Sequence, residues 1–170
     1  MAKGHTSKLD YLTHHEAGHA GVAFSFGLRL ERVWIDQRSD GGWTKLTKAA
    51  SPQRTDMQHV LIALAGGRAG RLLDPSCVGQ RTASDEDEIY ALNTIHKRFY
   101  DRLIACPQPC FDGLCKRVNK RLARRCALIV EERWSAIQRL AVVLASCVTS
   151  ARLVELTGEE AERVLTGETG

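Results

Sequence analysis

The sequence predicts a mainly α-helical domain with a small β-sheet or hairpin after the first helix. Three observations carry this. Apolar residues recur at helical spacing through most of the chain, one short β-branched and aromatic run is followed by turn chemistry, and no internal repeat or low-complexity tract interrupts the pattern. The 170 residues fit a single domain over 1–170, with residues 1–8 expected as a flexible tail.

The first element is a helix from about Leu9 to Phe26, because Tyr11, Leu12, His15, His19, Val22 and Phe26 share one periodic face and Gly27 supplies a stop. Arg32-Val33-Trp34-Ile35-Asp36 reads as a strand, Ser39-Asp40-Gly41-Gly42 as a turn, and Trp43-Thr44-Lys45-Leu46 as the returning partner. Ser51-Pro52 is expected to open a second helix through Met57, Val60, Leu61 and Leu64 to Leu73, ended by Asp74-Pro75. Its run Ala65-Gly66-Gly67-Arg68-Ala69-Gly70 costs helix propensity, which makes sense where another backbone must come close. The expected neighbour is the helix of His15.

A third helix should start near Ser84 and carry Ile89, Leu92, Ile95 and Phe99, and the segment from Pro107 to Gly113 reads as a loop. Helical period then continues from Leu114 to Cys147, with a bend. Thr157-Gly158-Glu159-Glu160 is a capping box for a last short helix.

Hydrophobic residues make up 44% and charged residues 26%, which fits an ordinary folded domain rather than a disordered or membrane protein. No N-terminal apolar region marks a signal peptide, and the longest apolar stretch, Leu140 to Val148, is far too short to span a bilayer. A cytoplasmic location with reduced thiols is therefore expected. Cys106, Cys110 and Cys115 are spaced C-x3-C and C-x4-C, unlike the C-x2-C of structural zinc sites, and are read as free thiols. The net charge of +4 is mild for a nucleic-acid binder. The basic run from Lys116 to Arg125 is read as a solvated helix face, since Val118 and Leu122 give it an apolar seam and Glu131-Glu132 follow.

His15-Glu16-Ala17-Gly18-His19 is the segment that carries chemistry. On a helix His15 and His19 lie one turn apart, so two imidazoles can hold one Zn²⁺ while Glu16 takes a proton from water at the metal. Ala17, Gly18 and Ala20 leave room around them. His14 lies about 100° away and should face elsewhere, and His5, His59 and His96 are expected at or near the surface. A catalytic zinc needs a third protein ligand, for which Asp85-Glu86-Asp87-Glu88 is the best source.

Together these segments resemble the FtsH-type zinc metallopeptidase family, on its peptidase part only. His15-Glu16-Ala17-Gly18-His19-Ala20 is similar to that family's core motif, Gly41-Gly42-Trp43-Thr44 to its substrate-side edge strand, and Leu64 to Ala69 to its second helix. Ala83-Ser84 with the acids after it resembles the family's A-S-N-D segment, and Leu156 to Glu160 its ending. The resemblance implies zinc held by His15, His19 and an Asp, with Glu16 as base and Gly42, Trp43 and Thr44 binding a polypeptide substrate. One extra acid follows Ala83-Ser84. Ala91, Leu92, Ile95 and Phe99 continue the helix face after Asp87 better than their counterparts after Asp85, which selects Asp87. The chain departs from the family in having Gly70-Arg71 after Ala69. The family's ATPase module and membrane anchor have no counterpart here, and no G-x-x-x-x-G-K-[ST] loop for nucleotide is present. The expected activity is ATP-independent hydrolysis of flexible or unfolded chains. The alternative is a metal-binding regulatory or interaction module with little turnover.

Overall fold

Helix α1 (Lys8–Ser25) runs through the middle of the molecule, covered on its sides by helices α2 (Asp56–Leu73) and α5 (Trp134–Cys147) and by a small sheet. The computed structural model describes residues 6–39, 41–48, 55–77, 83–100, 108–148 and 153–168. Residues 1–5 of the expected tail lie outside these, while Ser7 and Lys8 belong to the helix start. Ser7 caps α1: its hydroxyl accepts from Asp10 N at 3.0 Å, and the Asp10 carboxylate accepts in return from Ser7 N. Gly27, at φ 71°, turns the chain out of the helix.

The sheet has three antiparallel strands in the order β2-β1-β3, with β1 (Leu30–Asp36) central, β2 (Gly41–Leu46) on one side and β3 (Leu153–Thr157) on the other. Val33 lies opposite Thr44 and Leu156, and Ile35 opposite Gly42 and Val154. Strand alternation therefore buries Val33, Ile35, Val154 and Leu156 on one face and leaves Trp34, Trp43 and Glu155 on the other. The third strand was not expected from sequence. It is five residues long, and its last residue, Thr157, is also the N-cap of α6 (Gly158–Thr166).

Three further boundaries differ from expectation. Ser51-Pro52 lies outside the described residues, and α2 begins only at Asp56. Thr55 and Gln58 form a capping box there, with Thr55 N donating to the Gln58 side chain at 2.8 Å. The expected loop from Pro107 to Gly113 is helical from residue 108, as the start of α4 (Gln108–Glu132). Pro109 falls in the first turn, where its missing N–H has no partner to lose, and the buried stripe of Cys115, Leu122, Cys126 and Val130 outweighs Gly113. The long period from Leu114 to Cys147 is two helices, broken at Arg133 (φ −95°, ψ 6°), whose carbonyl accepts from Ala136 and Ile137.

The core joins Ala17, Ala20 and Val22 of α1 to Val33 and Ile35 of β1, Leu61 of α2, and Ile137, Leu140 and Leu144 of α5. Each fully buried Val, Leu or Ile contributes about 1.5–3 kcal/mol. Small residues on α1 set the spacing: a Cβ at Gly18 would lie 2.8 Å from the Ala65 carbonyl oxygen of α2. Buried Glu162 ties α6 to β1, accepting from Leu30 N at 2.8 Å and pairing with Arg29 at 3.0 Å. Helix α3 (Ala83–Tyr100) packs on α2 and α4. No helix among the described residues is long and apolar enough to cross a membrane.

Candidate metal centre

One helical turn on α1 brings His15 and His19 to the face turned towards α2. Their Nε2 atoms are 3.0 Å apart and the rings stand edge to face at 82°. The wall opposite is the backbone of α2 at Gly66. A Cβ there would lie 2.5 Å from His19 Nε2 and 2.7 Å from His15 Nε2, so only glycine lets the helices meet at this level. The cost in helix propensity thus has the reason expected from sequence, and the neighbour is the His15 helix.

Asp87 arrives from α3. Its Oδ2 lies 3.0 Å from His15 Nε2 and 3.2 Å from His19 Nε2. Ala91 and Ile95, one and two turns on, are buried in the core, while Ile89 and Tyr90 are exposed, so packing of α3 aims position 87 at the histidines. The side chains of Asp85, Glu86 and Glu88 lie outside the described residues.

All three atoms can act as electron-pair donors. His19 Nδ1 is 2.7 Å from the Ile62 carbonyl oxygen, which can only accept, so Nδ1 carries a proton and in the neutral ring the lone pair is on Nε2, facing the triangle. Asp87 Oδ2 is buried and, among the described residues, has no partner beyond the two imidazoles. His15 Nδ1 is buried without a hydrogen-bond partner among the described residues, and its ring is oriented by packing beside Tyr11 at 6.2 Å. Converging lone pairs in a dry site require a cation or a proton between them. A tetrahedral zinc with bonds of about 2.0–2.1 Å sets its ligand atoms about 3.3–3.4 Å apart, close to the separations here.

Electrostatics give the same account. Burial opposes charge on His19, but the Asp87 carboxylate and Glu16 outweigh it and raise its pKa to about 9. Burial likewise works against the Asp87 anion, yet the two imidazoles hold its pKa well below the usual carboxylate range. A protonated His19 can place its Nε2 proton between these atoms.

Glu16 is 3% exposed, and one ligand-type atom each of His15, Glu16 and His19 lie within 4.8 Å of one another. Burial raises its pKa, against the lowering effects of His19, His15 and Thr44. Strand β2 lies over it. The Thr44 hydroxyl is 3.0 Å from both the main-chain oxygen and Oε2 of Glu16, and a Cβ at Gly42 would lie 2.6 Å from Glu16 Cγ. Gly42 and Thr44 therefore touch the site. Trp43 points to the other face of the sheet, 60% exposed and stacked on Trp34.

His14 faces away from the triangle as expected: its Nδ1 is 2.7 Å from the Asp10 carbonyl oxygen and its ring packs on Trp134. Cys115 and Cys126 are buried and Cys147 is exposed, none of the three in a disulfide. Cys106, His5 and the side chains of Cys110 and His96 lie outside the described residues. Sequence reasoning missed the Ile62 carbonyl, which has no side-chain signature, and the direct contact of Thr44 with Glu16. Comparison with protein-family models and with curated proteins finds no match to this chain.

Proposed function

We propose that this chain is a zinc metallopeptidase that cuts flexible polypeptides without ATP. The observation that carries this reading is the triangle of His15 Nε2, His19 Nε2 and Asp87 Oδ2, all within 3.2 Å of one another, beside the buried carboxylate of Glu16. His15, His19 and Asp87 would hold the ion, with the Ile62 carbonyl keeping His19 in the ligating tautomer. A zinc ion bound there supplies Lewis acidity, making water acidic near neutral pH and stabilising charge that develops on a carbonyl oxygen.

Glu16 is the proton carrier. Burial raises its pKa, which makes the carboxylate a stronger base for taking a proton from water and returning it to the leaving amine. Thr44 holds Oε2 in place. Among the described residues β2 pairs only with β1, so its other edge can accept an extended chain by strand addition, running past Glu16 at Gly42 and Thr44. That placement favours a peptide over a compact substrate.

The test is cleavage of unfolded casein by the purified chain, with and without a strong chelator. Cleavage that stops on chelation and returns with zinc supports the reading. Bound zinc with no cleavage of any unfolded chain would favour the binding-module alternative.

A further inference from the structure

Helix α4 carries a half-cylinder of positive charge. Lys116, Arg117, Lys120, Arg121, Arg124 and Arg125 are all exposed, while Cys115, Leu122, Cys126 and Val130 occupy the buried side. At about 100° and 1.5 Å per residue, the six cations cover about 180° of circumference over roughly 14 Å of axis. None has a carboxylate of the described residues within ion-pair distance. Glu131 and Glu132 are exposed and lie about 9 Å further along the axis. The rows 116-120-124 and 117-121-125 set like charges one turn apart, which destabilises a helix. The apolar seam of Val118 and Leu122 lies on the side turned to the core. The mild net charge reflects acids placed elsewhere on the chain.

We propose that this face of α4 docks duplex DNA through its phosphates, without reading sequence. A flat anionic surface would meet only the middle of a half-cylinder, leaving Lys116 and Arg125 pointing sideways. A groove meets both flanks. A helix about 10–12 Å across with its side chains fits the B-form major groove, about 12 Å wide. Four of the six cations are arginine, which pairs with phosphate in bidentate geometry. No exposed residue of α4 among the described ones is aromatic, so the face lacks the stacking platform that grips single strands, and the deep, narrow major groove of duplex RNA admits no helix. Among the described residues of α4, Leu128 is the one large exposed apolar side chain, too little apolar surface for an interfacial membrane helix.

The experiment is binding of the full chain to a labelled random duplex of about 20 base pairs, followed by anisotropy as salt is varied. Four to six phosphate contacts predict a slope of about −4 to −5 in log K against log salt, roughly a 10²–10³-fold loss between 50 and 200 mM. R121E/R124E should weaken binding at least about tenfold, whereas R38E/R163E, with the same change in net charge, should stay within about twofold. Equal losses in the two variants, or no binding at 50 mM salt, would overturn the proposal. So would tighter binding to a single strand of equal length or to phosphatidylserine vesicles, the latter assigning the face to a membrane surface.

Discussion

Asp87 Oδ2 lies 3.0 Å from His15 Nε2 although the two residues sit on different helices, α3 and α1. Such a contact is made by tertiary packing alone, through Ala91 and Ile95 buried on the same face of α3. Asp87→Ala should therefore abolish stoichiometric zinc while leaving the helices intact. The loss of affinity should exceed the roughly 10–100-fold cost of removing an outer supporting group. Asp85→Ala should keep the metal. Metal analysis of the two variants after gel filtration decides it, and the reverse outcome would mean that Asp85 is the ligand.

Gly66→Ala separates helix propensity from site geometry. Alanine is the better helix former by about 1 kcal/mol, but its Cβ would press on His19 Nε2 and His15 Nε2 at 2.5 and 2.7 Å. The variant should lose zinc. Gly113→Ala on α4, where among the described residues the nearest side-chain atom to the new Cβ is 3.6 Å away at Arg117, should keep zinc and gain up to about 1 kcal/mol of stability. Zinc content and urea denaturation of both proteins check this pair.

The proton that stands in for the cation has a signature in pH. His19 is raised from 6.5 to about 9 in the folded protein. A raised pKa contributes stability that is fully present below 6.5 and fades as pH rises through about 9. The metal-free protein should thus lose stability over that window. Zinc binding at pH 7 to 8 should release about one proton, because the metal takes the Nε2 lone pair. Calorimetry in two buffers of different ionisation enthalpy measures this release. Zero release would mean that His19 is already neutral in the metal-free protein.

What was legible in the sequence was what is local. His15, Glu16 and His19 fall within five consecutive residues of one periodic helix, so spacing alone aims the two imidazoles together. The glycine run of α2 announced a close approach and its partner. Asp87 needed more: the family resemblance selected an aspartate, and the helix face continuing through Ala91 and Ile95 chose between two. Contacts between elements were not legible. Nothing in Thr44 or Ile62 shows that the one holds the Glu16 carboxylate and the other fixes the His19 tautomer. Strand β3 is a five-residue run fused to a helix cap, and Pro109 and Gly113 suggested a loop where a buried stripe keeps the helix.

The most direct test of the metallopeptidase reading is Glu16→Gln, measured for zinc content and for casein cleavage on the same preparation. Glutamine keeps the size of the side chain and can still hydrogen-bond Thr44, but it cannot take a proton. The proposed function predicts a folded protein with wild-type zinc and turnover lower by about two to four orders of magnitude. Near-normal cleavage by zinc-loaded Glu16→Gln would contradict it, since the proton would then travel by another residue.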